Sequence, residues 1–148
     1  MSVDPYDERK IGNDDIIIRR INPKQHVVWD SNRQQNRISS KAYSKSSGLK
    51  EGLSVDIEAL ILADNLDPRT FVQTPIFTGA VAFSASVIRG LSLWVGYDPV
   101  KNDPDAPDNP YHGQVWLPAQ KKQFSEKQKS GLAQAATWYV VIPGVEVK

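Results

Sequence analysis

Between residues 80 and 97 the chain alternates with period two, and this pattern constrains the fold more than any other. Val81, Phe83, Ala85 and Val87 alternate with Ala80, Ala82, Ser84 and Ser86, and Leu91, Leu93, Val95 and Tyr97 alternate with Ser92, Trp94 and Gly96. Successive side chains of a strand point to opposite faces, so two strands are predicted, each with one face in a core and one face packed against small or mixed groups. Ile88-Arg89-Gly90 is the expected tight turn of an antiparallel hairpin.

Other signals surround this pair. Ile16 to Ile21 is a β-branched run ended by Asn22-Pro23, and His26 to Trp29 reads as a second short strand. Residues 30–37 are entirely polar and read as a loop, Ile38 to Tyr43 as a strand or turn, and residues 44–52 as a flexible connection. Asp56 is in position to cap a helix whose stripe is Ile57, Leu60 and Ile61, and Asp67-Pro68 should open a single helical turn. Gln114 to Leu117 reads as a strand ended by Pro118. Ser125 and Gln128 have capping-box spacing, ahead of a helix with Leu132, Ala135, Ala136 and Tyr139 on one face. Val140 to Ile142 gives a short terminal strand. The fold expected is α+β: a flexible arm over residues 1–13, then a single domain over 14–148. That domain holds a mostly antiparallel sheet of about six strands with two helices.

Composition narrows the chemistry. There is no Cys among the 148 residues and only two His, His26 and His112, so thiolate nucleophiles, Cys-ligated metals and His-rich centres are excluded, and neither metal nor cofactor is expected. The N-terminus is polar and no apolar stretch approaches the ~20 residues that span a bilayer, so a soluble, cytoplasmic protein without a membrane partner is expected. A net charge of +1 conceals segregation: ten Lys/Arg against six Asp/Glu over residues 1–50, three against nine over 51–110, and five against two over 111–148. The basic N-terminal part offers Arg19, Arg20, Arg33, Arg37 and Lys41 as an anion- or nucleic-acid-binding set, against the plainer reading of one solvated, mixed-charge surface.

Residues 98–112 form the conspicuous loop, with four Asp, two Asn and four Pro. Loops of this length in a compact domain are uncommon and tend to be functional or disordered. Its oxygens suit a hard cation, its prolines suit a stiff mount for Tyr111 and His112, and it also suits a plain solvated hairpin connection. His112 is the best acid–base candidate, with Tyr111 beside it and Asp98, Asp108 or Asp56 as the carboxylate partner. Ser40-Lys41 would face opposite sides of a strand, which argues against a Ser–Lys nucleophile there. The common nucleotide, zinc-protease and hydrolase signatures are absent.

Arg37-Ile-Ser-Ser-Lys-Ala-Tyr43, Gly52-Leu-Ser-Val-Asp56, and Asp98-Pro99 with Asn109-Pro-Tyr-His-Gly113 together resemble a pattern of small bacterial proteins, a resemblance that implies no activity. The order His26, Ser/Tyr cluster, Glu146 is similar to that of ADP-ribosyltransferase sites, but without a diagnostic spacing. Three functions are therefore expected in turn. The first is a non-enzymatic binding protein with a protein partner, a small component of a multi-protein bacterial system. The second is a small hydrolase or transferase using His112 with a carboxylate. The third is a nucleic-acid-binding domain using the basic N-terminal segment.

Overall fold

The structure is a computed structural model that describes residues 3–148. Its main sheet has six antiparallel strands in the order β6-β7-β4-β1-β5-β8. They are β1 (Ile16–Ile21), β4 (Leu53–Ile57), β5 (Gly79–Ser84), β6 (Trp94–Tyr97), β7 (His112–Trp116) and β8 (Thr137–Val140). A second sheet, β2 (Val27–Asp30), β3 (Gln35–Ile38) and β9 (Val145–Glu146), runs in the order β2-β3-β9. The helices are α1 (Pro23–His26), α2 (Glu58–Ala63), α3 (Pro68–Phe71), α4 (Ala85–Gly90) and α5 (Glu126–Ala135), with a 3-10 turn over Ser40–Tyr43. The architecture is α+β, with short helices more numerous than the sequence suggests.

Alternation along the strands sorts the main sheet into two faces. Ile17 and Ile21 of β1, Leu53, Val55 and Ile57 of β4, Val81 and Phe83 of β5, Val95 of β6 and Val115 of β7 form the larger core. Ala42 and Tyr43, Ile88 of α4 and Leu132 of α5 close that face. The opposite face carries a smaller cluster, in which Ile18, Ala80 and Ala82 pack with Ile61, Val72, Tyr111 and Tyr139. That cluster takes nothing from β4, whose alternate positions there are Ser54 and Asp56. This polar stretch is the floor of the site described below.

Local chemistry explains the differences from expectation. The hairpin expected over residues 81–97 does not form: β5 pairs with β1 and β8, and β6 pairs with β7. The reason is Ser84, whose hydroxyl accepts the amide of Val87 at 3.4 Å and starts α4 where the alternation had read as strand. Asp56 does not cap a helix; it lies inside β4, which runs on to Ile57, and α2 starts without a side-chain cap. The polar segment 30–37 is a hairpin, not a loop. Asp30 Oδ1 accepts the amides of Asn32 and Arg33, Gln34 takes φ 55°, and β3 returns along β2. Tyr139, expected on the last helix, lies on β8, because Ala136 leaves helical geometry at ψ 138°.

Other signals hold. Ser125 and Gln128 form the reciprocal capping box, and Asp67 caps α3 through the amide of Arg69 at 3.0 Å. Residues 3–13 have no regular structure but run along β6. Glu8 N–H donates to Val95 O at 2.9 Å, Tyr6 Oη accepts the Tyr97 amide at 2.9 Å, and Ile11 is 1% exposed. Met1 and Ser2 of the predicted arm lie outside the described residues. Among the described residues, no helix is long and apolar enough to cross a membrane.

Candidate functional site

Above the polar floor lies a cleft of about 850 Å³, walled by the segment 71–77 on one side and the segment 98–109 on the other. Arg19 and Arg20 of β1, Ser54 and Asp56 of β4, and His112 and Gln114 of β7 line its base. Phe71, Pro75, Ile76 and Phe77 give it an apolar wall, and Ile76 is 61% exposed at the mouth. A concave surface of this size, mostly apolar with a few convergent polar groups, is the usual form of a binding site.

Asp56 organises the floor. Its Oδ2 accepts Arg20 Nε at 2.8 Å, and its Oδ1 accepts Arg20 Nη2 at 3.1 Å and Asn109 Nδ2 at 2.8 Å. The carboxylate is buried, and a bidentate guanidinium plus an amide satisfies both of its oxygens. The Asn109 bond also fastens the long loop to the sheet. The loop holds itself through mutual backbone bonds between Val100 and Asn109 at 3.0 and 2.8 Å, and through Asp108 Oδ1, which accepts the Asn102 amide at 3.0 Å. It is a braced connection between β6 and β7, with prolines limiting the alternatives.

His112 stands opposite Asp56 in the β4–β7 register. Its Nδ1 is 2.7 Å from the Asp98 carbonyl oxygen. A carbonyl only accepts, so Nδ1 is the donor in this bond. The Asp98 carboxylate turns elsewhere, to Gln114 Nε2 and, at 3.2 Å, to the Val3 amide. The structure thus brings His112, Asp56, Asp98 and Asp108 to one cleft, but the His112 ring is oriented by a peptide carbonyl and not by a carboxylate. Tyr111 is not among the cleft residues: its Oη donates to Asp64 Oδ2 at 2.7 Å, and its ring meets Phe71 edge-on at 5.0 Å.

The basic set divides. Arg19 and Arg20 line the cleft, while Arg33, Arg37 and Lys41 do not. Arg33 Nη1 donates to Lys148 O at 2.7 Å, Arg37 pairs with Asp30 at 3.1 Å, and Lys41 sits in the 3-10 turn. Arg19 emerges where β1 and β4 part. Their pairing ends at Ile18–Asp56, and beyond it Arg19 Nε donates to Ala42 O at 2.8 Å and Nη1 to Ser54 O at 3.1 Å. Burial pulls its pKa down to about 10, so it stays charged near neutrality. Its neighbour Tyr43 is buried, with its pKa pushed up by desolvation, and remains a neutral phenol.

His26 and Glu146 do not meet at any such site, since His26 ends α1 and Glu146 pairs with Arg37 across β9 and β3. Among the described residues, no group of three or more His, Asp or Glu side chains is placed to hold a metal ion. Sequence reasoning did not single out Asn109, Ser54, Phe71 or Ile76. Asn109 carries the only available signal, its place before Pro110 in the long loop. Compared with known proteins, the chain matches no protein family, no curated protein and no solved structure.

Proposed function

We propose that the protein is a non-enzymatic binding protein that receives a segment of a protein partner in the cleft between residues 71–77 and 98–109. The observation that carries this reading is the Asp56 network: Arg20 and Asn109 take three of the about four acceptor positions of its carboxylate and, in doing so, hold a loop of the cleft in place. A general base needs a free lone pair near the proton it removes, and a structural clamp does not. A braced cleft lowers the ordering cost of association, which is what a binding site gains from such a clamp. A cytoplasmic role as a small component of a multi-protein bacterial system belongs to the same proposal.

The hydrolase or transferase reading has support from His112 Nε2, but it lacks an orienting carboxylate. The nucleic-acid reading has less support. Arg37 is paired within its own sheet, and the acidic residues Asp103, Asp105 and Asp108 line the cleft that holds Arg19 and Arg20.

The test is capture from the host lysate by tagged wild type, by Ile76→Asp at the cleft mouth, and by Trp29→Ala on the second sheet. Trp29 is 57% exposed and serves as the control for adventitious apolar contact. A stoichiometric partner retained by wild type and Trp29→Ala, and lost by Ile76→Asp, is expected. Loss with Trp29→Ala and retention with Ile76→Asp would move the site away from the cleft.

A further inference from the structure

Charge is unevenly shared in the cleft. Asp56 and Arg20 neutralise each other. Of the other lining groups, Glu51, Asp98, Asp103, Asp105 and Asp108 are acidic and Arg19 and Lys101 are basic, an excess of three negative charges. Arg19 leaves β1 on the face opposite Arg20 and donates to the carbonyl oxygens of Ala42 and Ser54. None of the five carboxylates forms an ion pair among the described residues. Asp98 is the most buried of them, at 4% exposed, and the donors on its carboxylate are neutral: the Gln114 side-chain amide and the Val3 amide. Carboxylates that converge on one concavity without counter-charges leave a negative potential there, which attracts a cationic ligand and repels an anionic one.

The apolar wall limits what carries the positive charge. Phe71, Ile76 and Phe77 stand across the cleft from the loop that bears Asp98, Asp103, Asp105 and Asp108, and Ile76 is 61% exposed. A metal ion would leave that wall uncovered, and a polyamine would bring charge without branched apolar groups to fill it. An extended polypeptide suits both walls at once. Its successive side chains point to opposite sides, so every second residue meets the apolar wall while the residues between meet the acidic loop. A cleft of about 850 Å³ has room for several such side chains.

We infer, on the reading that the cleft is the binding site, that it receives an extended segment of a partner protein in which Lys or Arg residues alternate with apolar ones. The apolar residues supply buried area, and the basic residues supply steering and selectivity against acidic segments.

The test is titration of the full-length protein with the acetylated and amidated pentapeptide Lys-Leu-Lys-Leu-Lys, followed through the backbone amide resonances. The comparison ligands are the same peptide with Gln or with Glu in place of Lys, and spermidine. Saturable shifts within residues 51–56, 71–77 and 98–114 are expected with the Lys peptide. The Gln peptide should bind about tenfold more weakly and the Glu peptide not at all. Raising the salt from about 0.01 M to about 0.1 M should weaken the Lys peptide and leave the Gln peptide unchanged. Asp103→Asn combined with Asp105→Asn, both exposed, keeps the side-chain oxygen that accepts the Asp105 amide and should weaken the Lys peptide about threefold or more. Lys101→Glu should strengthen it. Asp14→Asn combined with Glu126→Gln removes the same net charge from exposed positions outside the cleft and should change nothing. No binding of the Lys peptide, binding of the Gln or Glu peptide as tight as that of the Lys peptide, spermidine binding as tight as the peptide, or an equal loss in the Asp14 and Glu126 control would overturn the inference. If these results go against the basic segment while Ile76→Asp still abolishes capture, only the charge inference falls. If Ile76→Asp leaves capture intact, the cleft reading falls with it.

Discussion

His26 closes the single turn of α1 with its Nδ1 accepting the amide of Asn22 at 3.0 Å, and it is 6% exposed. Protonation would put a hydrogen where that amide already donates. Burial first, and the Arg19 charge second, lower its pKa from 6.5 to about 4. Between those values the unfolded chain takes up a proton that the folded chain does not, so stability is complete above about pH 6.5 and falls as the pH drops toward 4. The full window corresponds to at most about 3 kcal/mol. Urea unfolding at pH 7 and pH 4.5 should therefore show a smaller loss for His26→Gln than for the wild type; an equal loss would mean that His26 does not titrate in this window. His26 thus has a structural role: it terminates the turn that directs β1 into β2.

At the scale of elements, Gly113 shows how closely β6 and β7 approach beside the cleft. A Cβ there would stand 2.5 Å from the carbonyl oxygen of Gly96 and 2.9 Å from Ile57 Cδ1. The first of these is backbone and can yield only by moving β6. Gly113→Ala should destabilise the fold by about 1–3 kcal/mol, read as a lower urea midpoint at constant slope, as overpacking does elsewhere. An unchanged midpoint would show that the strands are not so close. The legible elements were those whose signal is local. The capping box at Ser125, the Asp67-Pro68 start and the run from Ile16 to Ile21 each rest on residues within one turn or one strand. The strand β3, Gln35-Asn36-Arg37-Ile38, has almost no apolar pattern and exists because β2 and β9 pair with it on either side. α4 was hidden because Ala85 and Val87 continue the alternation of β5, and only the Ser84 cap separates the two periodicities.

At the scale of the whole molecule, the site is a product of topology. Placing β4 between β1 and β7 sets Asp56 beside Arg20 on one flank and opposite His112 on the other, across 36 and 56 residues of chain. His112, Asp56, Asp108, Arg19 and Arg20 were legible as chemistry-bearing residues, and all line the cleft. Their roles were not legible, because those depend on which oxygen meets which donor. Its sequence position suits Asp56 to a helix cap or a catalytic partner, whereas in the fold it is a clamp, and the histidine's partner is the peptide oxygen of Asp98 and not its carboxylate. Tyr111 is tied to Asp64 at the end of α2 and does not line the cleft. The apolar wall from Phe71 to Phe77 gave no sign of its position, since nothing in a short turn ended by Thr74-Pro75 says which loop it will face.

The cleft is built before any ligand arrives, held by Asn109 on Asp56. Amide hydrogen exchange of the isolated protein reads this out. The amides of Val100 and Asn109, bonded to each other's carbonyls, should exchange at least about a hundredfold more slowly than that of Lys101, which makes no hydrogen bond among the described residues. Asn109→Ala should bring all three close to the same rate while leaving the amides of β1 and β5 protected. Equal, fast exchange of Val100, Asn109 and Lys101 in the wild type would mean that the long loop is unformed and that the cleft does not exist without its ligand.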